Sequence, residues 1–68
     1  MRQYIIKSQI GNYIGYYKGK NLISSYLFTK RKSKAKVFTD YLEVRNICMN
    51  IRHKKNNENI AYFVEEVM

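Results

Sequence analysis

The chain is poor in cysteine, in long apolar runs and in acidic residues. Cys48 is the single cysteine, which excludes an internal disulfide and a cysteine pair that would begin a zinc site. No window approaches the length of a membrane span, and residues 1–7 lack the long apolar stretch of a signal peptide. We therefore expect a soluble, unprocessed cytoplasmic protein with no membrane span.

Acidic residues are scarce and unevenly placed. The chain has 13 Lys and Arg against 5 Asp and Glu, for a formal net charge of +8, and no acidic residue precedes Asp40. Five of the seven residues at 30–36 are cationic, and this segment is called the basic run: Lys30, Arg31, Lys32, Lys34 and Lys36. Like charges this dense repel one another and resist burial, so the run predicts an anionic partner.

The length of 68 residues allows one domain, 1–68, with a thin core. Hydrophobic residues make up 46% and charged residues 26%, which is typical of a folded protein. Seven Tyr and three Phe supply much of the apolar area, since each buried ring removes roughly 150 to 250 Å² from water. A thin core also favours a homodimer that buries an edge strand or an exposed aromatic face.

Four segments have the composition of β-strands. They are predicted at residues 3–8, 12–17, 22–29 and 60–67, with turns at Gly11 and Asn12 and at residues 18–21. In the second strand, alternation puts Tyr13 and Tyr17 on one face and Tyr16 on the other, so both faces carry aromatic surface.

One helix is predicted from residue 41 to about residue 53. Asp40 and Glu43 stand three apart at its start, as in a capping box. The apolar stripe that predicts its core-facing side consists of Tyr41, Val44, Ile47, Cys48 and Ile51. These elements predict an α+β fold: a small, mainly antiparallel sheet of three to four strands with one helix packed across it.

Two segments carry a resemblance to a known group of proteins. Phe-Thr-Asp-Tyr-Leu-Glu-Val at residues 38–44 and Phe-Val-Glu-Glu-Val at 63–67 resemble a pattern in small uncharacterised phage and prophage proteins of low-GC Gram-positive bacteria. The richness of the chain in Lys, Asn, Ile and Tyr looks like the same low-GC origin. The resemblance implies a phage accessory protein of the bacterial host's cytoplasm. That group includes DNA-associated early proteins and inhibitors of host machinery or bacterial defence, and it implies no catalytic residues.

A phosphate-binding surface is predicted if the helix end folds back near the basic run. Its further cations are Arg52, Lys54 and Lys55, and bases would stack on Tyr13, Tyr16, Tyr17 and Tyr26. Eight cations on duplex DNA give a log-affinity slope of roughly −7 against log salt. The alternative is a solvated loop that maintains solubility, with tyrosines that only pack.

A protein contact is the second interpretation. Leu42 and Met49 lie seven apart outside the core stripe, with Arg45 and Arg52 beside them, a composition found at protein interfaces. Tyr16 and Tyr17 are added to this predicted contact. Alternatively, a strand or the basic run covers Leu42 and Met49, and they complete the core.

The sequence contains little that indicates an enzyme. Cys48 and His53 are five residues apart, so on a helix their directions diverge by about 140°, and the glycines lack a phosphate-binding fingerprint. We therefore predict no enzyme activity, cofactor or metal. Two hypotheses stay open: a basic nucleic-acid-binding module, and an anti-CRISPR-like inhibitor that docks on an acidic or nucleic-acid-accommodating surface of a host or defence nucleoprotein.

Overall fold

A computed structural model describes residues 2–20, 26–54 and 60–67 of the chain. The strands are β1 (Tyr4–Ile10), β2 (Tyr13–Lys20), β3 (Tyr26–Thr29) and β4 (Ala61–Glu66), the helix is α1 (Tyr41–Lys54), and a 3-10 turn covers Lys32–Lys34. All pairings are antiparallel, in the order β3-β2-β1-β4. This confirms the predicted α+β sheet with one helix. No helix in the described ranges is long and apolar enough to cross a membrane.

The β1–β2 hairpin turns at Gly11, whose φ of 57° favours glycine. This confirms the first predicted turn. The second predicted turn, at residues 18–21, is wrong at residues 18–20 because β2 continues to Lys20, while residue 21 lies outside the described residues. The pairing of β2 with β3 shifts register between Tyr17 and Gly19, and Gly19 has a φ of 134°. The glycine is therefore part of a bulge inside the strand.

The two remaining strands lie at the edges of the described sheet. For the predicted strand at residues 22–29, the structure describes Tyr26–Thr29 as β3, and residues 22–25 lie outside the described part. β4 begins at Ala61 and ends at Glu66, one residue inside the prediction at each end.

Helix α1 begins directly after Asp40, as predicted. The Asp40 Oδ1 accepts the backbone N–H groups of Leu42 at 3.0 Å and Glu43 at 3.4 Å, which satisfies amides that the helix itself leaves free. Val44, Cys48 and Ile51 are buried, and Ile47 packs partly against the core, so most of the predicted stripe is confirmed.

Tyr41 is the exception in the helix stripe, because half of it is exposed. Its ring meets Tyr4 edge-on, with centroids 5.4 Å apart. Tyr41 is the first residue of α1, and its contact with Tyr4 leaves the rest of the ring at the surface. The prediction that Tyr41 belongs to the buried core is therefore wrong.

Aromatic rings fill the space between α1 and the sheet. Tyr17 is central: its ring stacks on Phe38 at 6.2 Å and meets Phe28 at 5.9 Å. Phe28 in turn contacts Tyr62 of β4 at 5.8 Å. These rings link both edge strands across the core, as the aromatic composition predicts.

Residues 36–38 enter the sheet between β1 and β2. The Lys36 N–H donates to the Tyr17 carbonyl at 2.8 Å, and Tyr4 and Phe38 exchange two backbone hydrogen bonds of 2.8 Å. Phe38 thereby enters the core on the α1 side. The opposite face carries Ile5, which is also buried.

Candidate nucleic-acid interface

The basic run has a defined backbone. Lys34 donates its N–H to the Arg31 carbonyl at 3.0 Å, and Ala35 donates to the Lys32 carbonyl at 3.1 Å, which forms the 3-10 turn. The Arg31 N–H donates to the Thr29 hydroxyl at 3.2 Å. With Lys36 bonded to β2 as well, the run is a short loop held at both ends, and none of the 3-10 turn is buried.

Lys32 places the 3-10 turn of the run on the sheet face opposite α1. Its Nζ lies 2.5 Å from one carboxylate oxygen of Glu65, and Lys7 Nζ lies 3.9 Å from the other. Glu65 alternates with Tyr62 and Val64, which pack on the helix side, so it points to the opposite face. The hydrogen bond that Lys32 donates to the Glu65 carboxylate raises the pKa of Lys32, because the bond favours the charged ammonium form.

The other cations of the run have no carboxylate partner within the described ranges. Lys30 Nζ lies 5.2 Å from the Tyr13 ring centroid, and Lys36 Nζ lies 5.5 Å from that of Phe38. Arg31 and Lys34 are exposed. Four of the five charges are therefore available to an external anion, and one is offset internally by Glu65.

The cations at the end of α1 have different surroundings. Arg52 donates Nε and Nη2 to the Tyr62 carbonyl at 2.9 and 2.5 Å. Lys54 and Lys20 place their Nζ atoms 5.4 and 5.2 Å from the Tyr26 ring centroid. Lys55 lies outside the described residues. Lys54 and Lys20 therefore contact the same Tyr26 ring. Lys20 was not among the predicted site residues.

These surroundings differ from those of the run. Tyr26 pairs with Lys20 at one end of β2, whereas the Tyr13 that Lys30 contacts stands at the other end. The structure therefore describes two separate cation clusters by their contacts: the run, and Lys20 with Lys54.

The tyrosines divide by exposure. Tyr17 is 2% exposed, so its predicted role in a partner contact or in base stacking is wrong, because the core rings enclose it. Tyr16 is half-buried on the face that carries Lys32, and Tyr13 is exposed beside Lys30. Burial raises the pKa of the Tyr17 hydroxyl, and the neighbouring Tyr26 adds to the effect.

A groove lies between α1 and β4. It encloses about 370 Å³ and is lined by Tyr41, Arg45, Cys48, Met49, Arg52, Phe63 and Val64. Leu42 is 63% and Met49 51% exposed. The alternative in which a strand or the basic run covers these two residues is therefore wrong, and both lie at the surface with Arg45.

Cys48 and His53 occupy different environments. Cys48 is 4% exposed, as predicted for a core residue, whereas His53 is exposed at the helix end. Burial raises the pKa of the Cys48 thiol, and nearby Arg52 lowers it by less. Among residues 2–20, 26–54 and 60–67, no three His, Cys, Asp or Glu side chains are grouped as metal ligands.

The chain has no detectable relatives in the comparisons with known proteins. No protein-family model, curated protein or solved structure matches it.

Two features of this surface were not predicted. Glu65 neutralises Lys32 from a strand 33 positions further along the chain, and Lys20 joins Lys54 at Tyr26. For the contact of Glu65 with Lys32, the available signal was strand alternation, which puts Glu65 on the opposite face from Val64. Nothing in the sequence placed the run over that face.

Proposed function

We propose that this chain is a non-enzymatic binding module that contacts nucleic-acid phosphates through the basic run. One observation carries the proposal: the run is ordered by backbone hydrogen bonds, while four of its five cations have no carboxylate partner in the described part of the chain. An ordered loop loses less conformational entropy when it binds than a free one does.

The proposed contact is with the phosphate backbone. Arg31 and Lys34 extend from the 3-10 turn into solvent, and Arg and Lys bind phosphates irrespective of base sequence. Tyr16 lies on the same face and offers a ring on which a base of a single strand would stack. The module would therefore bind with little sequence preference.

The proposal is tested by a salt titration. Four cations on duplex phosphates predict a log-affinity slope of roughly −4 against log salt. Fluorescence anisotropy with a labelled duplex and a labelled single strand measures this slope. The double variant Arg31→Ser with Lys34→Ser should reduce its magnitude by roughly 2 on duplex DNA.

The matched control removes two charges elsewhere, by Arg2→Ser with Arg45→Ser, both of which are exposed. It should lower the slope much less. Equal effects from the two variants would mean that net charge, and not the basic run, attracts the nucleic acid. A flat salt response of the unmodified chain would sink the proposal.

A protein inhibitor is the second candidate, favoured by the exposure of Leu42 and Met49 next to Arg45. In this function the chain, as a phage-type protein in the host cytoplasm, docks on an acidic or nucleic-acid-accommodating surface of a host or defence nucleoprotein. The basic run would speed the encounter, and the apolar pair would provide affinity.

A pull-down from host lysate, with and without nuclease, separates the two functions. A partner that survives nuclease and is lost with Leu42→Ser and Met49→Ser supports the inhibitor. A partner that disappears with nuclease and is lost with the Arg31 and Lys34 changes supports nucleic-acid binding.

A further inference from the structure

The outer edge of β4 has open backbone groups at Val64 and Glu66 among the described residues. Because the Val67 N–H donates to the Gln3 carbonyl at 2.8 Å, and hydrogen-bonded pairs alternate along an antiparallel ladder, the odd-numbered residues of β4 bond to β1. The backbone groups of Tyr62, Val64 and Glu66 therefore point away from the sheet. Within the described part of the chain, no strand lies on that side, and Val64 and Glu66 have no backbone partner there.

The groove beside this edge has a definite chemistry. It combines the guanidinium groups of Arg45 and Arg52 with the apolar side chains of Met49 and Val64. Arg52 bonds to a carbonyl and to no carboxylate in the described ranges. The groove therefore suits an extended segment that presents apolar side chains and one acidic side chain on the same face.

The strand that forms the edge has that composition itself. β4 reads Ala-Tyr-Phe-Val-Glu-Glu, and Glu66 is exposed without an ion-pair partner among the described residues. Val64 and Glu66 share the helix side of the strand, since side chains alternate. One chain thus carries both the groove and a segment that complements it, which is the condition for a two-fold symmetric interface.

We propose that two copies of this chain pair through β4, antiparallel and centred on Val64, into one eight-stranded sheet. Val64 then exchanges its backbone hydrogen bonds with its counterpart. Glu66 of each copy comes beside Tyr62 of the other, where Arg52 binds the Tyr62 carbonyl. Two equivalent Arg52 to Glu66 ion pairs close the interface. The Tyr62 carbonyl keeps its two hydrogen bonds from Arg52, so the backbone pairing rests on the two bonds between the Val64 residues.

The two-fold axis of this pairing stands perpendicular to the sheet. Both α1 helices therefore lie on one side, with Met49 and Tyr41 near the junction. Both basic runs lie on the opposite side. This proposal does not rest on phosphate binding, since the pairing uses residues outside the run.

Sedimentation velocity over a concentration series tests the pairing. The chain should sediment as a dimer of its 8.2 kDa protomer. Glu66→Arg should weaken dimerisation by about 100-fold or more, because two like-charge contacts replace two attractions. Glu43→Arg is the matched control: it makes the same charge change at an exposed helix residue outside the groove, and it should leave the dimer intact.

A charge-swap mixture gives a second readout. Arg52→Glu alone should be monomeric, and mixing it with Glu66→Arg should restore a heterodimer with both ion pairs reversed. Circular dichroism establishes whether each variant folds. If Arg52→Glu does not fold, the comparison of Glu66→Arg with Glu43→Arg still tests the pairing through β4. An unmodified chain that is monomeric at every concentration would overturn the pairing and leave the edge to a strand of another protein. A dimer indifferent to Glu66→Arg would overturn it as well.

Discussion

Arg52 donates two hydrogen bonds to the carbonyl oxygen of Tyr62, from Nε at 2.9 Å and from Nη2 at 2.5 Å. This carbonyl points outward from β4, so the contact fastens the last turn of α1 to the rim of the sheet. The same arginine lines the groove. Its position is therefore set by the fold before any partner arrives.

We predict that Arg52→Lys lowers the free energy of unfolding by about 1 kcal/mol, because an amine cannot reproduce the two-pronged hydrogen bond. Urea denaturation followed by circular dichroism measures the change. Arg45→Lys is the control, because Arg45 lies on the same helix and lines the same groove. It should change stability little. A loss of equal size at both positions would contradict the structural role given to Arg52.

Phe38 and Val37 are neighbours with opposite environments, 3% and 50% exposed. We predict that Phe38→Ala costs about 3 to 5 kcal/mol, since it removes a ring stacked on Tyr17 and leaves a cavity. In a domain this small, that loss would unfold much of the population. Val37→Ala should stay within about 0.5 kcal/mol. Thermal melts of both variants make the comparison, and similar melting temperatures would refute the packing described for Phe38.

Glu65→Gln should free Lys32 for an external anion. The denaturation midpoint should hardly change at neutral pH, because exposed ion pairs contribute little to stability. The magnitude of the salt slope for duplex DNA should increase by roughly 1. Glu43→Gln removes an exposed carboxylate of α1 that pairs with no cation of the run among the described residues, and it should leave the slope unchanged.

The same ion pair predicts a pH dependence. The hydrogen bond to Glu65 raises the pKa of Lys32 above its unfolded value. Its stabilisation is therefore present at neutral pH and is lost as the pH rises through the folded pKa. The difference in urea midpoint between the unmodified chain and Glu65→Gln should therefore be small at neutral pH and should vanish as the pH rises through the folded pKa of Lys32.

Cys48 should react slowly with alkylating reagents in the folded protein. Burial limits access to the sulfur and raises the pKa of the thiol, so less thiolate is present. Iodoacetamide labelling followed by mass spectrometry, with and without denaturant, measures the difference. A chain with Cys48→Ala and Met49→Cys moves the thiol to a half-exposed neighbour, where folded and unfolded rates should be similar. Equal native rates for the two positions would contradict the buried location of Cys48.

The sequence was sufficient for the elements that depend on local chemistry. The Asp40 cap and the apolar stripe predicted α1 to within one residue at its end, because both signals are set by helical geometry. The strand at residues 12–17 was predicted too short, because Gly19 signals a turn and a bulge equally well. The exposure of Tyr41 was also not predicted: Tyr41 follows the helical stripe, yet half of it is exposed.

The candidate site depended more on distant contacts. The composition identified the basic run, but its face was decided by Lys36 bonding to Tyr17 and by Lys32 reaching Glu65. Tyr13 and Tyr17 share a strand face, although α1 covers the second and leaves the first exposed. Strand alternation gives the side of the sheet, and the extent of the covering helix comes only from the assembled fold.

The pairing of β1 with β4 has a consequence for how the chain is made. β1 is central in the described sheet, and its partners on one side are residues 61–66, almost the full length of the chain away. Contacts so remote in sequence slow folding, because a long loop must close before they form. On the ribosome the hairpin of β1 and β2 can assemble early, but one side of β1 stays open until residue 66 has emerged. Completion of the sheet therefore waits for the synthesis of residues 61–66.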